Sequence, residues 1–181
     1  MFFWKVIGKH MHKNFAISDP HFGHKGIITF ENKDGSRVRE FDSVEEMDET
    51  MVGNWNGIVR PVDRVYLLGD VIMNRRCLPI LERLNGKKVL IKGNHDIFKL
   101  KEYTPYFEDI RAYKVFPKSM VILSHIPIHP CQMERFKLNI HGHMHTNIIE
   151  NDDRYLNVCV EKINYTPMDL AEILHKHLVV K

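Results

Sequence analysis

The sequence has few cysteines, no long hydrophobic run and no block of like charges. Its three cysteines are widely spaced and lack a C-x-x-C pair, so a disulfide framework is not expected and a reducing compartment fits. No apolar stretch approaches the roughly 18 residues that cross a membrane. The formal net charge is only +3, and the scattered basic residues form no track that calls for nucleic acid as a partner. These absences predict a cytoplasmic protein with no membrane partner.

Histidine is the residue type present in surplus. The chain has 12 histidines in 181 residues, and most of them follow apolar segments instead of forming a terminal tag. Hydrophobic residues make up 44% and charged residues 27%, which is ordinary globular composition. The length predicts one domain. We predict a single domain over residues 12–181, preceded by an N-terminal extension over residues 1–11.

Short apolar runs alternate with helical patterns, which predicts a mixed α/β fold. We expect helices over residues 43–57, 75–84 and 166–177, and strands over residues 14–17, 64–68, 88–91, 110–116, 120–123, 138–140 and 155–160. Ser43 and Glu46 form a capping-box pattern at the start of the first helix. The order strand, helix, strand across residues 64–91 predicts a βαβ crossover with parallel pairing.

The stretch Gly93-Asn94-His95-Asp96 directly follows an apolar strand. Asn94 offers a neutral oxygen to a cation, and the His95 imidazole can hold or release a proton near neutral pH. Asp96 is a carboxylate that could orient an imidazole. The same residue types also favour a turn. The stretch therefore indicates a site only if other parts of the chain supply further ligands or catalytic groups.

Other strand ends supply such partners, because polar residues directly follow the apolar runs at Asp19, His21, Asp70, His125, His143 and His145. Each of these motifs alone is compatible with a turn. Sites in mixed α/β folds form beyond the carboxyl ends of the strands, however, and all these residues share that placement. Together with Asn94 they would fill two neighbouring metal sites. Mixed imidazole, carboxylate and amide ligands suit Mn²⁺, Fe, Zn²⁺ or Ni²⁺ better than Ca²⁺.

The motif series Asp19-x-His21, Gly69-Asp70, Gly93-Asn94-His95-Asp96, His125 and Gly142-His143-x-His145 resembles the calcineurin-like metallophosphoesterase superfamily. Three further short sequences are similar to those of a small branch of predicted phosphoesterases of bacteria and phages. They are Ser-Asp-x-His-Phe-Gly-His, Asn54-Trp55-Asn56 and Asn157-Val158-x-Val160. Cys159 and Glu161 depart from that branch, where Gly and Asp are common.

This resemblance implies a four-layer sandwich of two mixed β-sheets flanked by helices, with a dinuclear metal site at the strand carboxyl ends. It implies that Asp70 bridges two ions and that His95, held by Asp96, faces the substrate. The remaining ligands would divide into Asp19, His21 and His145 for one ion and Asn94, His125 and His143 for the other. The ions would be divalent transition metals, Mn²⁺ first, with Fe, Zn²⁺ or Ni²⁺ as alternatives.

The expected activity is hydrolysis of a phosphodiester or a small phosphomonoester. A metal-bridging hydroxide would attack phosphorus, and His95 would act as general acid. The expected substrate is small and phosphorylated or nucleotide-like. Two alternatives remain, a nuclease on the same site and a non-catalytic metal-binding scaffold, and the complete ligand set argues against the scaffold.

Substrate contacts are less well defined by the sequence. His24 and His129 lie beside the motifs, where they could contact the phosphate or serve only as polar loop residues. His141 is expected to be structural. Arginines that could hold a phosphate are Arg37, Arg39, Arg75, Arg76 and Arg135, and the expected selectivity loops are residues 24–42, 71–76 and 126–137.

Overall fold

The computed structural model describes residues 12–178, so the predicted extension over residues 1–11 lies outside the described residues. The strands are β1 (Asn14–Ile17), β2 (Arg64–Leu67), β3 (Lys87–Ile91), β4 (Asp109–Arg111), β5 (Tyr113–Phe116), β6 (Val121–Ser124), β7 (Leu138–His141), β8 (Tyr155–Asn157) and β9 (Met168–Asp169). The α-helices are α1 (Val44–Ile58), α2 (Leu100–Tyr103) and α3 (Leu170–Leu178). Short 3₁₀ helices cover Ile27–Thr29, Arg75–Arg83, Pro130–Arg135 and Val160–Lys162. No helix of this described part is long and apolar enough to cross a membrane.

The strands form two mixed sheets. The first has five strands in the order β4-β3-β2-β1-β9, with β1 to β4 parallel and β9 antiparallel to β1. The second has four strands in the order β5-β6-β7-β8, with only β5 antiparallel to its neighbour. The expected mixed α/β fold with two mixed sheets and several helices is confirmed, as is the parallel pairing of β2 and β3. The arrangement in four layers stays a prediction.

Alternating side chains of the first sheet enter two separate cores. One core lies between this sheet and α1, where Phe15, Val65 and Leu67 pack against Met47 and Trp55. The opposite face of the sheet packs on the second sheet through Ala16, Tyr66, Leu68, Val89, Ile91, Val121, Leu123, Leu138 and Ile140. Each large apolar side chain fully buried in this way contributes about 1.5–3 kcal/mol to folding. The ends of β1, β2 and β3 are therefore held rigidly against the ends of β6 and β7.

Two predicted elements differ in kind from those observed. The strand expected over residues 110–116 is two strands, because the chain leaves the first sheet after β4 and enters the second at β5. The segment Arg75–Arg83 is a 3₁₀ helix with Pro79 inside it. Proline lacks the N–H that an α-helix interior requires, which explains the difference.

The predicted start of the final helix and the predicted end of the last strand also differ from those observed. Residues 168–169 pair with Ala16 and Phe15 as β9, and the Asp169 carboxylate accepts a hydrogen bond from the backbone N–H of Ala171. The final helix therefore begins at Leu170 and not at residue 166. The last strand ends at Asn157 instead of residue 160, because the chain beyond it turns towards the end of β1.

Candidate metal centre

The polar residues singled out at the strand ends meet where the two sheets join. Ser18, directly after β1, forms a parallel bridge with Cys159, directly beyond β8. The backbone N–H of Ser18 donates to the Val158 carbonyl at 2.9 Å, and Val160 N–H donates to the Ser18 carbonyl at 3.1 Å. This bridge brings the carboxyl ends of strands from both sheets to one edge.

The backbone is strained at several of the predicted ligands. Positive φ angles occur at Asp19 (56°), His21 (52°), Asp70 (53°), His143 (67°) and His145 (48°). Non-glycine residues rarely adopt this left-handed conformation, and such strain, of order 1–3 kcal/mol per residue, clusters at functional sites. The strain at these positions favours a site over ordinary turns.

Two glycines allow the ligand loops to approach each other. A Cβ at Gly93 would lie 2.3 Å from Oδ1 of Asp70, and a Cβ at Gly142 would lie 1.8 Å from Oγ of Ser18. Both distances are far below van der Waals contact. Any side chain at either position would push the strand ends apart and separate the ligands.

The first ligand group is Asp19, His21 and His145, whose ligand atoms all lie within 4.8 Å of one another. Oδ1 of Asp19 is 3.6 Å from Nε2 of His21 and 3.9 Å from Nε2 of His145. Oδ1 of Asp19 and Nε2 of His21 are buried and have no hydrogen-bond partner among the described residues. Buried polar atoms are costly when unpaired, so this group fits a cation held between its members.

The other oxygen of Asp19 is fully occupied. Oδ2 accepts hydrogen bonds from Oγ of Ser18 at 2.6 Å and from the backbone N–H of His143 at 2.8 Å. Burial opposes the charged carboxylate, but the adjacent His21 imidazole and these donors outweigh it and lower the pKa of Asp19. Asp19 is therefore an anion whose Oδ1 is directed at the two histidines.

The second ligand group is Asp70, His125 and His143. Nε2 of His125 is 3.5 Å from Oδ2 of Asp70 and 2.8 Å from Oδ1 of Asn94. Its Nδ1 lies 2.7 Å from the Leu68 carbonyl, so Nδ1 carries the proton and Nε2 presents a lone pair. Partial desolvation and the nearby His125 lower the pKa of the largely exposed His143, which favours a neutral imidazole ready to act as a ligand.

Asp70 lies between the two groups. Its Oδ2 is 3.9 Å from Nε2 of His21 in the first group and 3.5 Å from Nε2 of His125 in the second. Its Oδ1 accepts a hydrogen bond of 2.8 Å from the backbone N–H of His95. The two His/Asp groups could each hold a metal ion, and Asp70 lies within 4 Å of a histidine nitrogen of each group.

The Asp96 carboxylate makes contacts that the sequence did not predict. It is buried and accepts hydrogen bonds from the backbone N–H groups of Gly93, Asp70 and Val71 at 2.8, 2.9 and 3.0 Å. It therefore fixes the loops that carry Asn94 and Asp70, and its contact with the imidazole of His95 stays a prediction. The His95 side chain is exposed, and its ring centroid lies 5.9 Å from that of His21.

The other residues predicted near the site differ in their positions. The His24 ring lies 5.8 Å from the His21 ring, which places it beside the first group. His129 accepts a hydrogen bond from the backbone N–H of Cys131 at 3.3 Å and caps a 3₁₀ helix, so the structure gives it a local role. Nδ1 of His141 lies 2.9 Å from the Gly142 carbonyl and the side chain is buried, in line with a structural role. Arg39 is fully buried and is not available to a phosphate.

Glu161 contributes to the site although its sequence context did not indicate it. Its Oε1 lies 2.9 Å from Nδ1 of His145 and also contacts Arg39. Burial lowers the pKa of His145, but the hydrogen bond to Glu161, the charge of Glu161 and that of Asp19 together outweigh it and raise the pKa. Glu161 lies in the 3₁₀ helix beyond β8 and not directly at a strand end, so the placement that identified the other site residues did not identify it.

No family model matches the chain. A solved structure, a protein of unknown function AQ665 from Aquifex aeolicus, has a TM-score of 0.72 and 27% identity, covering 90% of this chain and 98% of that one. The structure of an archaeal phosphodiesterase aligns over 81% of this chain and 82% of its own, but a TM-score of 0.46 and 17% identity carry no argument about activity. Membership of the calcineurin-like superfamily and its bacterial and phage branch stays a prediction.

A curated relative settles the family. The uncharacterized protein MJ1445 of Methanocaldococcus jannaschii is 37% identical over 188 aligned positions, an alignment that covers 94% of this chain and 96% of the relative. The chain belongs to the same family as MJ1445 of Methanocaldococcus jannaschii.

Proposed function

We propose that this chain is a metal-dependent phosphoesterase that uses two divalent transition-metal ions. The observation that carries the proposal is the position of Asp70, whose Oδ2 faces Nε2 of His21 at 3.9 Å and Nε2 of His125 at 3.5 Å. A carboxylate shared by two ligand groups is the arrangement that holds two ions close together. Paired ions in such sites clamp a phosphate and acidify bound water.

The residues that would hold the ions follow from the two groups. Asp19, His21 and His145 would bind one ion, and His125, His143 and Asn94 the other, with Asp70 between them. Imidazole, carboxylate and amide ligands without a thiolate favour Mn²⁺, with Fe, Zn²⁺ or Ni²⁺ as alternatives. The buried unpartnered Oδ1 of Asp19 and Nε2 of His21 support a resident cation.

The side chains at the site offer no nucleophile of their own. Burial and the neighbouring carboxylates of Asp19 and Glu161 raise the pKa of the Cys159 thiol, so it stays protonated. The Ser18 hydroxyl lies within hydrogen-bond distance of Oδ2 of Asp19 and of the Leu68 carbonyl, at 2.6 and 2.7 Å. Water is therefore the attacking group, and the reaction is a direct hydrolysis of the phosphate ester.

His95 is the residue that we assign to the leaving group. Its side chain is exposed at the open side of the site, and its backbone is tied to Asp70. From there the imidazole can donate a proton to the departing oxygen, which typically accelerates hydrolysis by about 10²–10⁴-fold.

The open side also indicates the direction of substrate entry. Asn94, His95 and His143 are exposed, whereas Asp19, His21 and Asp70 are buried. A small phosphorylated or nucleotide-like molecule would therefore approach from the second group, with its organic part towards solvent. A nuclease acting on the same site is the alternative.

Hydrolysis by the Mn²⁺-loaded protein tests this proposal. We expect turnover of bis(p-nitrophenyl) phosphate or p-nitrophenyl phosphate, and at least a roughly 10²-fold loss in Asp70→Asn, since both ligand groups then lose their shared anion. Glu172→Gln, which neutralises an exposed carboxylate on α3, is the control and should retain full activity. A screen of cyclic nucleotides, dinucleotides and single-stranded DNA separates the esterase from the nuclease. Wild-type rates equal to those of the metal solutions alone, with Mn²⁺, Fe, Zn²⁺ and Ni²⁺ in turn, would contradict the proposal.

A further inference from the structure

A buried arginine and a buried glutamate, far apart in the chain, meet behind the first ligand group. Nε of Arg39 donates to Oε1 of Glu161 at 2.8 Å, and Nη2 of Arg39 lies 2.7 Å from the same oxygen. The side chain of Arg39 is 0% exposed and that of Glu161 is 3% exposed. Such a pair is strongly desolvated, and each charge depends on its partner and on further hydrogen bonds to offset that cost.

Arg39 also holds the loop that carries two of the ligands. Its Nη2 donates to the Asp19 carbonyl at 2.6 Å, and its Nη1 donates to the Pro20 carbonyl at 2.8 Å. Asp19 and His21, on either side of Pro20, both have positive φ angles. A guanidinium bonded to both carbonyls keeps this strained loop in the conformation that turns its ligand atoms towards each other.

Glu161 holds the third ligand of the same group. Its Oε1 lies 2.9 Å from Nδ1 of His145, so that Nδ1–H donates to the carboxylate. This bond fixes the tautomer and leaves the Nε2 lone pair facing Oδ1 of Asp19, 3.9 Å away. Arg39 and Glu161 thus contact Asp19 and His145 directly, and Arg39 also bonds the carbonyl of Pro20, which precedes His21.

The second group has separate supports. His125 is oriented by the Leu68 carbonyl, and the loops of Asp70 and Asn94 are held by the Asp96 carboxylate. None of the hydrogen bonds found for Arg39 and Glu161 in residues 12–178 reaches the side chains of His125, His143 or Asn94. The side-chain supports of the first group are therefore distinct from those of the second, while the groups remain linked through Asp70 and through the hydrogen bond from the His143 N–H to Asp19.

We propose that Arg39 and Glu161 are positioning residues that set the metal affinity of the first ligand group without setting that of the second. This rests on the proposed dinuclear function and assigns each ion its own supporting residues. Outer partners of ligating histidines typically change metal affinity by about 10- to 100-fold when they are removed. A purely structural ion pair would instead change folding stability and leave the ratio of the two affinities unaltered.

Metal titration of the full chain tests the proposal. Mn²⁺ is titrated into the metal-free protein and followed by calorimetry, with bound metal counted after gel filtration. In Glu161→Gln we expect one of the two sites to weaken by about 10- to 100-fold and the other to keep its affinity. Glu161→Asp keeps a carboxylate and should fall between the wild type and Glu161→Gln. It also carries the test if the glutamine variant does not fold.

The matched control is Asp63→Asn, which alters another fully buried carboxylate. Asp63 accepts hydrogen bonds from Nε and Nη2 of Arg60 at 2.9 and 2.7 Å, away from both ligand groups. The Asp63→Asn substitution should lower the melting temperature and leave both metal affinities unchanged. Equal weakening of both sites in Glu161→Gln and Glu161→Asp, or no weakening of either, would overturn the proposal. Failure of the wild type to bind Mn²⁺ would instead count against the dinuclear function.

Discussion

The backbone N–H of His95 donates a hydrogen bond of 2.8 Å to Oδ1 of Asp70. The residue assigned to the leaving group is thus tied through its main chain to the carboxylate that lies between the two ligand groups. Because this bond uses the backbone, it survives replacement of the His95 side chain. Proton transfer and metal binding can therefore be separated by substitution at a single position.

The first prediction concerns His95→Ala. We expect this variant to fold and to bind two ions, but to lose about 10²–10⁴-fold in turnover because the proton donor is gone. The loss should be larger for a phenyl ester than for a p-nitrophenyl ester, since the poorer leaving group needs the proton more. His175→Ala, on the exposed face of α3, is the control. Unchanged turnover of both esters would mean that the acid is assigned wrongly.

The second prediction concerns Asp96→Asn. In the wild type, three backbone N–H groups donate to the two carboxylate oxygens of Asp96. The asparagine side chain would place its NH₂ group against some of these donors, which should lower the free energy of unfolding by roughly 1–3 kcal/mol. Turnover should fall by a similar factor at every pH, because the loops of Asp70 and Asn94 loosen. The measurements are chemical denaturation and a pH–rate profile. A shifted acidic limb with unchanged stability would support Asp96 as the partner of the His95 ring.

The third prediction compares two glycines. Gly142→Ala would place a methyl group 1.8 Å from Oγ of Ser18 and 2.3 Å from Oδ2 of Asp19. We expect a loss of at least about 1–3 kcal/mol in unfolding free energy, together with weaker metal binding. Gly53→Ala, in α1 with nothing within 4 Å of the added carbon, should gain about 0.5–1 kcal/mol. Equal stability of the two variants would show that the strand ends are not closely packed.

Much of the site could be predicted from the sequence because every proposed ligand follows an apolar strand. Parallel strands align their carboxyl ends, which places Asp19 and Asp70 near one edge of the first sheet. His143 follows a strand of the second sheet, and the bridge between Ser18 and Cys159 brings it to that edge. The residues that hold the first ligand group in place, Arg39 and Glu161, could not be predicted in the same way. Arg39 and Glu161 are separated by 122 positions, and no local pattern encodes a contact over that distance.

The errors in the fold have a similar origin. The apolar run over residues 110–116 has the periodicity of one strand, and only tertiary structure divides it between two sheets. The segment beginning at residue 166 carries a good helix-start signal, but pairing with β1 makes residues 168–169 a strand. In both cases long-range pairing outweighs local preference. Asp96 shows the same limit, since its backbone partners at Asp70 and Val71 lie far away in sequence.

A fourth prediction concerns Asp48, whose carboxylate accepts hydrogen bonds from the backbone N–H of Gly23. Burial raises the pKa of Asp48 to about 7, and the nearby Glu45 and Glu49 act in the same direction. Because the folded pKa lies above the unfolded one, this group stabilises the fold at low pH and that contribution is lost as the pH rises through about 7. Asp48→Asn keeps an oxygen acceptor for Gly23 and is neutral throughout.

The melting temperature of Asp48→Asn should therefore exceed that of the wild type by more at pH 8 than at pH 5. Glu134→Gln, which neutralises an exposed carboxylate on a distant 3₁₀ helix, should show no such difference. A constant offset between Asp48→Asn and the wild type across this range would mean that Asp48 does not titrate there.

Anomalous X-ray scattering from crystals grown with Mn²⁺ would locate each ion in the proposed dinuclear site. We expect two peaks, one among Asp19, His21 and His145 and one among Asn94, His125 and His143, with the Asp70 carboxylate contacting both. A single peak, peaks outside these residues, or none in crystals soaked at millimolar Mn²⁺ would contradict it.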